Sequence, residues 1–387
     1  MVETHFFLLS IVIIFVCFVI AAWPRYFKRY FGVDTWRILA IADYIRIYKR
    51  YPTYLSEQYI LQGKYDHPIT LSAFLAIFPK KFIDTYQGFV SPAIEALHCF
   101  VLFLYVYKLT GDPRIALMAQ LIYMLTPMVL MESSQLSTRS IGSLFFTLTW
   151  LPIMHFSFYG GWFYFVVALC MVTVLTFTHR MSTQVLVLMS LLMSIATFSP
   201  WCFLISCMGI GISWLCFGDK YKRILRGHLN ILRYWITYID FRYAHQVRGV
   251  PKSTQKFKQA DIVRQVEQVF LRLPGISLFL PNIWMFFVLL VPLLPEYKKI
   301  FFGIFPHIYL WAILLFVLAL ATSVIKPLRF MGSGERYIEY SVFPVAVVES
   351  AGFSGTITNP PFELTSNWII VIIGVVAMFG ALLPALA

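Results

Sequence analysis

The stretch HFFLLSIVIIFVCFVIAAW, residues 5–23, decides the fold class. It carries no acidic or basic residue apart from a terminal His, and it matches the ~20 residues that a helix needs to cross a bilayer core. A helix satisfies its own backbone polar groups in lipid, which no open strand does. No A-x-A-like cleavage site follows before Pro24, so the run reads as an anchor rather than a cleaved signal peptide.

Outward from this anchor the same kind of run recurs. Apolar segments fall near 87–109, 114–131, 138–158, 161–178, 182–198, 200–217, 276–294, 303–325, 338–353 and 366–386. Together with the first they predict about eleven spans. Of the 387 residues 59% are hydrophobic and only 13% charged, against roughly 25% charged in soluble domains. The predicted fold is an all-α, polytopic transmembrane helical bundle, one membrane domain over residues 1–387. There is no tandem repeat, low-complexity tract or soluble domain. All six cysteines (Cys17, Cys99, Cys170, Cys202, Cys207 and Cys216) lie within expected spans. There they act as small apolar residues, with neither a disulfide framework nor zinc-ligand spacing.

Two connections are long, residues 24–86 and 218–275. If the spans alternate sides, both loops share a face, together with the connections near 132–139, 179–180 and 326–336. Of the 31 Lys and Arg, only Lys108, Arg114, Lys298 and Lys299 then lie opposite. Such a bias has two readings: the positive-inside rule, which makes the face cytoplasmic, or a surface for an anionic substrate such as a lipid phosphate.

The first loop contains GVDTWRILAIADYIRIYKRYP, residues 32–52. Ile38, Ile41, Ala42, Ile45 and Tyr48 fall on one helical stripe, with Asp43, Arg46 and Arg50 on another. This predicts an interfacial helix beginning at Asp34, its apolar stripe in lipid or against the spans. Asp43 and Arg46 are spaced to pair. Asp34 reads equally as a helix N-cap and as a catalytic carboxylate. Further on, Gly63, Asp66 and Pro68 mark a turn, and Ile69–Phe78 is a helix too short to span. Asp66 and His67 are candidate metal or substrate ligands, set against an ordinary turn aspartate.

Glu132 and Arg139 sit at the end of the third span. An acid at membrane depth is costly, and it is either paired to the arginine or functional. His179 and Arg180 occupy a tight connection, where snorkelling competes with phosphate binding. Arg329, Glu335, Arg336 and Tyr337 flank a Gly-Ser-Gly turn that a phosphate can approach, and arginine suits bidentate phosphate contacts. The basic, aromatic segment after residue 218, with Tyr234, Trp235 and Tyr238, fits an interfacial helix on anionic lipid rather than a nucleic-acid binder.

In order, these pieces resemble the GT-C superfamily of polytopic glycosyltransferases over roughly residues 5–200 and 326–345. The residues that carry the resemblance are Gly32-Val33-Asp34, Ala42 with Ile45-Arg46, Pro52, Tyr65-Asp66-His67-Pro68 followed by LSAFLAIFP, and TGDPRIALMAQLIYMLTP at 110–127. The resemblance implies transfer of a sugar from a polyprenyl-phosphate donor to a lipid-linked or glycan acceptor, with Asp34 as general base. It implies an acceptor or metal role for Glu132, with Asp66 and His67 beside it, and Mg2+ or Mn2+ as the candidate metal. Donor phosphate contacts fall to Arg329, Arg336, Arg139 and Arg180, supported by His179, Glu335 and Tyr337. The sequence departs from the family in having no His around Trp36–Ile38 and no soluble C-terminal domain. The family's site faces away from the cytoplasm, opposite to the charge bias. An O-antigen polymerase or ligase acting on lipid pyrophosphates and a lipid-linked sugar flippase are the rival expectations.

Overall fold

The computed structural model describes residues 2–28, 32, 34–55, 63–239, 277–293 and 303–357. Its elements in order are α1 (Val2–Phe27), α2 (Asp34–Tyr48), β1 (Tyr54–Leu55), β2 (Gly63–Lys64), α3 (Thr70–Ala76), α4 (Lys80–Tyr86), α5 (Val90–Thr110), α6 (Pro113–Met124), α7 (Pro127–Ser133), α8 (Thr138–Tyr159), α9 (Trp162–Leu175), α10 (Arg180–Thr197) and α11 (Trp201–Thr237). Further helices cover Trp284–Leu290, Phe305–Val324, Glu335–Ile338 and Val342–Ile357. Among the described residues the fold is all-α apart from the two-residue antiparallel pair of β1 and β2.

Among the described residues six helices are long and apolar enough to cross a membrane, so the chain is an integral membrane protein. This is fewer than the eleven expected from hydropathy, and the differences have local causes. The run at 114–131 is broken, because Thr126 is extended ahead of Pro127 and α6 and α7 meet at 59°. The segment at 161–178 forms only the 14-residue α9 between Gly161 and Thr176. The expected spans at 276–294 and 338–353 yield short apolar helices. The span expected at 366–386 and the loop beyond residue 239 lie outside the described residues.

Sequence punctuation sets the remaining ends. Gly111 closes α5 in the left-handed conformation at φ 69°. Asp112 then caps α6 by accepting the Arg114 N–H at 2.8 Å, with Pro113 in the first turn. Ser137 caps α8 through the Arg139 N–H at 3.0 Å. The core between these helices is aromatic, with Trp150, Trp284, Trp311, Phe146 and Phe343 fully buried. Side chains facing outward on α1, among them Leu8 and Phe15, are exposed apolar residues suited to lipid.

The first loop is fastened to this bundle. Ile38, Leu39 and Ala42 of α2 pack on Leu71 and Leu75 of α3, on Ile83 of α4, and on Leu136 and Ile141. The stripe of α2 thus meets protein, and Tyr48 at its end is exposed. Arg46 donates to the carbonyls of Phe78 at 2.9 Å and Leu75 at 3.1 Å, and pairs with Asp43 as its spacing predicts. Thr70 donates its hydroxyl to the Phe177 carbonyl at 2.7 Å, tying α3 to the connection before α10.

Candidate functional site

Where the first loop, the N-termini of α8 and α10 and the tail of α11 meet, they enclose a cavity of about 200 Å³. Asp34, Arg37, His67, Arg139, His179, Arg180, His228, Trp235 and Arg336 line it, with Gln184 and the turn at Met331–Gly332. Four guanidinium groups and one carboxylate therefore face a single small space.

Gly32 sets the first of these side chains. It sits at φ 100°, where a Cβ would lie 2.7 Å from the Gln135 side-chain oxygen. Only glycine turns the chain there and lets α2 start with Asp34 in the cavity. The Asp34 carboxylate accepts from Arg37 at 3.0 Å one turn on, and both side chains are well exposed to the cavity. Arg139 projects from the first turn of α8 and pairs with Glu132, which is largely buried. Arg180, at the first turn of α10, donates to both Oδ1 and the backbone carbonyl of Asp66 at 2.6 Å. Arg336 is the lining arginine with no carboxylate in ion-pair contact among the described residues, although it lies near buried Glu339.

Burial and the neighbouring arginines hold the lining histidines toward the neutral form. Burial lowers the pKa of His67 to about 3, helped by Arg180, Arg37 and His179. Burial also lowers His179 to about 3, with Arg139, Arg336, Arg37 and Arg180 adding to it. His179 Nδ1 sits 3.2 Å from both Ser182 Oγ and the Tyr340 hydroxyl, which themselves lie 2.9 Å apart. Tyr51 donates to the His67 carbonyl at 3.0 Å beneath the Arg223 guanidinium, 5.3 Å from its ring. Burial pushes the Tyr51 hydroxyl up to about 12, so it stays a donor.

The structure thus gathers Asp34, His67, Arg139, His179, Arg180 and Arg336 from four distant stretches, with Asp66 and Glu132 held behind the lining by Arg180 and Arg139. One expected phosphate contact and two of the residues expected to support it take other places. Arg329 is buried at 2% exposure and donates to the Ser323 carbonyl, so it braces the turn instead of lining the cavity. Tyr337 is fully buried, accepting from Gln184 at 2.8 Å and donating to the Met331 carbonyl at 3.2 Å, while Glu335 is exposed outside the lining.

The Glu132 carboxylate does not fit a metal site. Arg139 engages it, and no group of three His, Cys, Asp or Glu able to hold a metal exists among the described residues.

Arg37, Gln184, His228 and Trp235 are additional lining residues. The last two come from the segment expected on lipid. It instead continues α11, which bends at Gly218 (φ 44°) and returns across the cavity. Gly227 permits the close approach, since a Cβ there would fall 2.4 Å from the Asp66 carboxylate and 2.5 Å from Arg180. Ile231 and Leu232 on the same tail give the cavity an apolar side opposite its arginines. No protein-family model matches the chain, and no match is found among the curated proteins.

Proposed function

We propose that the protein is a GT-C-type membrane glycosyltransferase that moves a sugar, with inversion, from a polyprenyl-phosphate donor to a lipid-linked or glycan acceptor. The observation that carries this reading is the Asp34 carboxylate opening into the same cavity as four guanidinium groups. A base and an anion site facing one space are what the reaction needs.

The acceptor hydroxyl gives its proton to Asp34 as its oxygen attacks the anomeric carbon. The bond from that carbon to the phosphate oxygen breaks, and its electron pair leaves with the phosphate. Arg336, Arg139 and Arg180 stabilise the charge that develops there. Gln184 and the Met331–Gly332 backbone border the headgroup, and Ile231, Leu232 and Trp235 offer apolar contact to the isoprenoid. The active face is extracytoplasmic, with the excess of basic residues serving the anionic donor.

Sugar transfer in membranes, comparing wild type with Asp34→Asn, tests this reading. The expected result is a loss of about a hundredfold or more in turnover with unchanged folding. Wild-type turnover in a folded variant removes Asp34 as the base. Consumption of lipid pyrophosphates, or sugar-lipid transport without turnover in liposomes, points instead to the polymerase or flippase. Labelling of T53C in the exposed first loop with an impermeant maleimide fixes the side.

A further inference from the structure

Three of the four lining arginines already hold a carboxylate, and the three pairs are not alike. Arg180 and Asp66 join through two contacts at 2.6 Å with the arginine largely buried, and Glu132 is largely buried against Arg139. Arg37 and Asp34 meet through one contact at 3.0 Å, with side chains 37% and 51% exposed. An exposed pair of this kind is the weakest of the three and the easiest to part. The Arg37 guanidinium also acts electrostatically on His67, His179 and Arg180, so it shares the interior with the groups around the phosphate site.

Under the proposed reaction, a phosphodiester carrying one negative charge becomes a phosphomonoester carrying two. Asp34 simultaneously goes from an anion to a neutral acid as it takes the acceptor proton. The total charge is unchanged, but one unit moves from the Asp34 carboxylate to the leaving phosphate. Arg37 is the cation beside the point where that charge disappears.

We propose that Arg37 is a charge-following residue: it pairs with Asp34 while Asp34 is ionised, and transfers its hydrogen bonds to the leaving phosphate once Asp34 is protonated. This inference rests on the transferase reading, and it adds a requirement that the reading does not contain. The anion capacity of the cavity must rise by one guanidinium when Asp34 becomes neutral. His67, His179 and His228 supply no such change, since Arg139, Arg180 and Arg336 crowd the same space with positive charge. The ordinary alternative is that Arg37 only holds Asp34 in place.

The test is a binding cycle on purified full-length protein in nanodiscs at pH 8, using decyl phosphate and its methyl ester. The first is a dianion there, because its second ionisation lies near about 6, and the second is a monoanion. D34N imitates the protonated acid. The expected result is about a tenfold tightening of decyl phosphate in D34N, with a smaller change for the methyl ester. Decyl phosphate binds D34N/R37Q no more tightly than Arg37→Gln alone, so the double variant loses the tightening. A tightening that survives in the double variant reports only relief of repulsion from Asp34 and overturns the proposal. So does the absence of tightening in D34N. Melting curves of each variant show that the folded protein is being compared. Because no turnover is needed, a failed sugar-transfer assay with an intact binding cycle rejects the transferase reading alone, and active transfer with a flat cycle rejects the Arg37 role alone.

Discussion

Arg180 holds Asp66 by side chain and backbone at once, with donor distances of 2.6 Å to Oδ1 and to the carbonyl oxygen. The pair joins the first loop to the start of α10, and Gly227 of α11 rests directly on it. Three segments far apart in sequence are thereby locked at one point of the cavity wall.

Asp66→Ala is expected to strand a largely buried guanidinium and cost about 1–3 kcal/mol. Gly227→Val is expected to push the α11 tail from its seat at about 1–3 kcal/mol. Thermal melting of the purified variants checks both, and melting temperatures unchanged from wild type would contradict this account of the wall.

Arg336 and Arg329 lie seven residues apart and are expected to fail differently. Arg336→Ala removes an exposed lining guanidinium, so it should weaken anion binding at least about tenfold and leave melting nearly unaltered. Arg329→Ala leaves the Ser323 carbonyl without its buried donor and should lower stability by about 1–3 kcal/mol. Titration with decyl phosphate beside melting curves separates the two, and a reversal of the two patterns would exchange their roles.

The histidines make acid destabilising. Burial holds the pKa of His67 and His179 at about 3 when folded, against ~6.5 when unfolded. Between these values the unfolded chain binds the extra protons, so their contribution is whole above pH ~6.5 and declines as pH falls toward 3. The double variant H67Q/H179Q should therefore show a flatter decline of melting temperature from pH 7 to pH 4.5 than wild type. An equally steep decline would place the acid sensitivity elsewhere.

Gly32→Ala combines a strained backbone with a Cβ 2.7 Å from Gln135. A cost of about 1–3 kcal/mol is expected, together with loss of the Asp34–Arg37 geometry. Trimming the amide in G32A/Q135A should recover only a part of the loss, because the Gln135 Cβ, 2.8 Å from the added Cβ, and the positive φ both remain. Full recovery on melting would show that the backbone angle there costs nothing.

Much of this arrangement was legible in the sequence. Hydropathy identified the membrane class, and the polar residues flanking apolar runs pointed to six of the lining side chains. Two physical effects limited the reading. Run length does not reveal a break, so Pro127 divided one expected span, and Gly161 and Thr176 confined another to a short helix. An amphipathic pattern does not reveal what its apolar face covers, so the α11 tail read as lipid-facing while Gly218 and Gly227 seat it on Asp66. Arg329 and Arg336 looked equivalent as sequence, and only burial separates the brace from the lining.

Helix α11 is two helices joined at the break of Gly218, and the first, residues 201–217, is about 26 Å long at 1.5 Å per residue, slightly short of the ~30 Å of a hydrocarbon core. Its first part is solvated by acyl chains and its last part carries His228 and Trp235 over the arginines, with Gly218 between them. A span this short is met by local thinning of the bilayer, which ties the depth of Gly218, and with it the seating of the tail beyond, to the lipid around the first part.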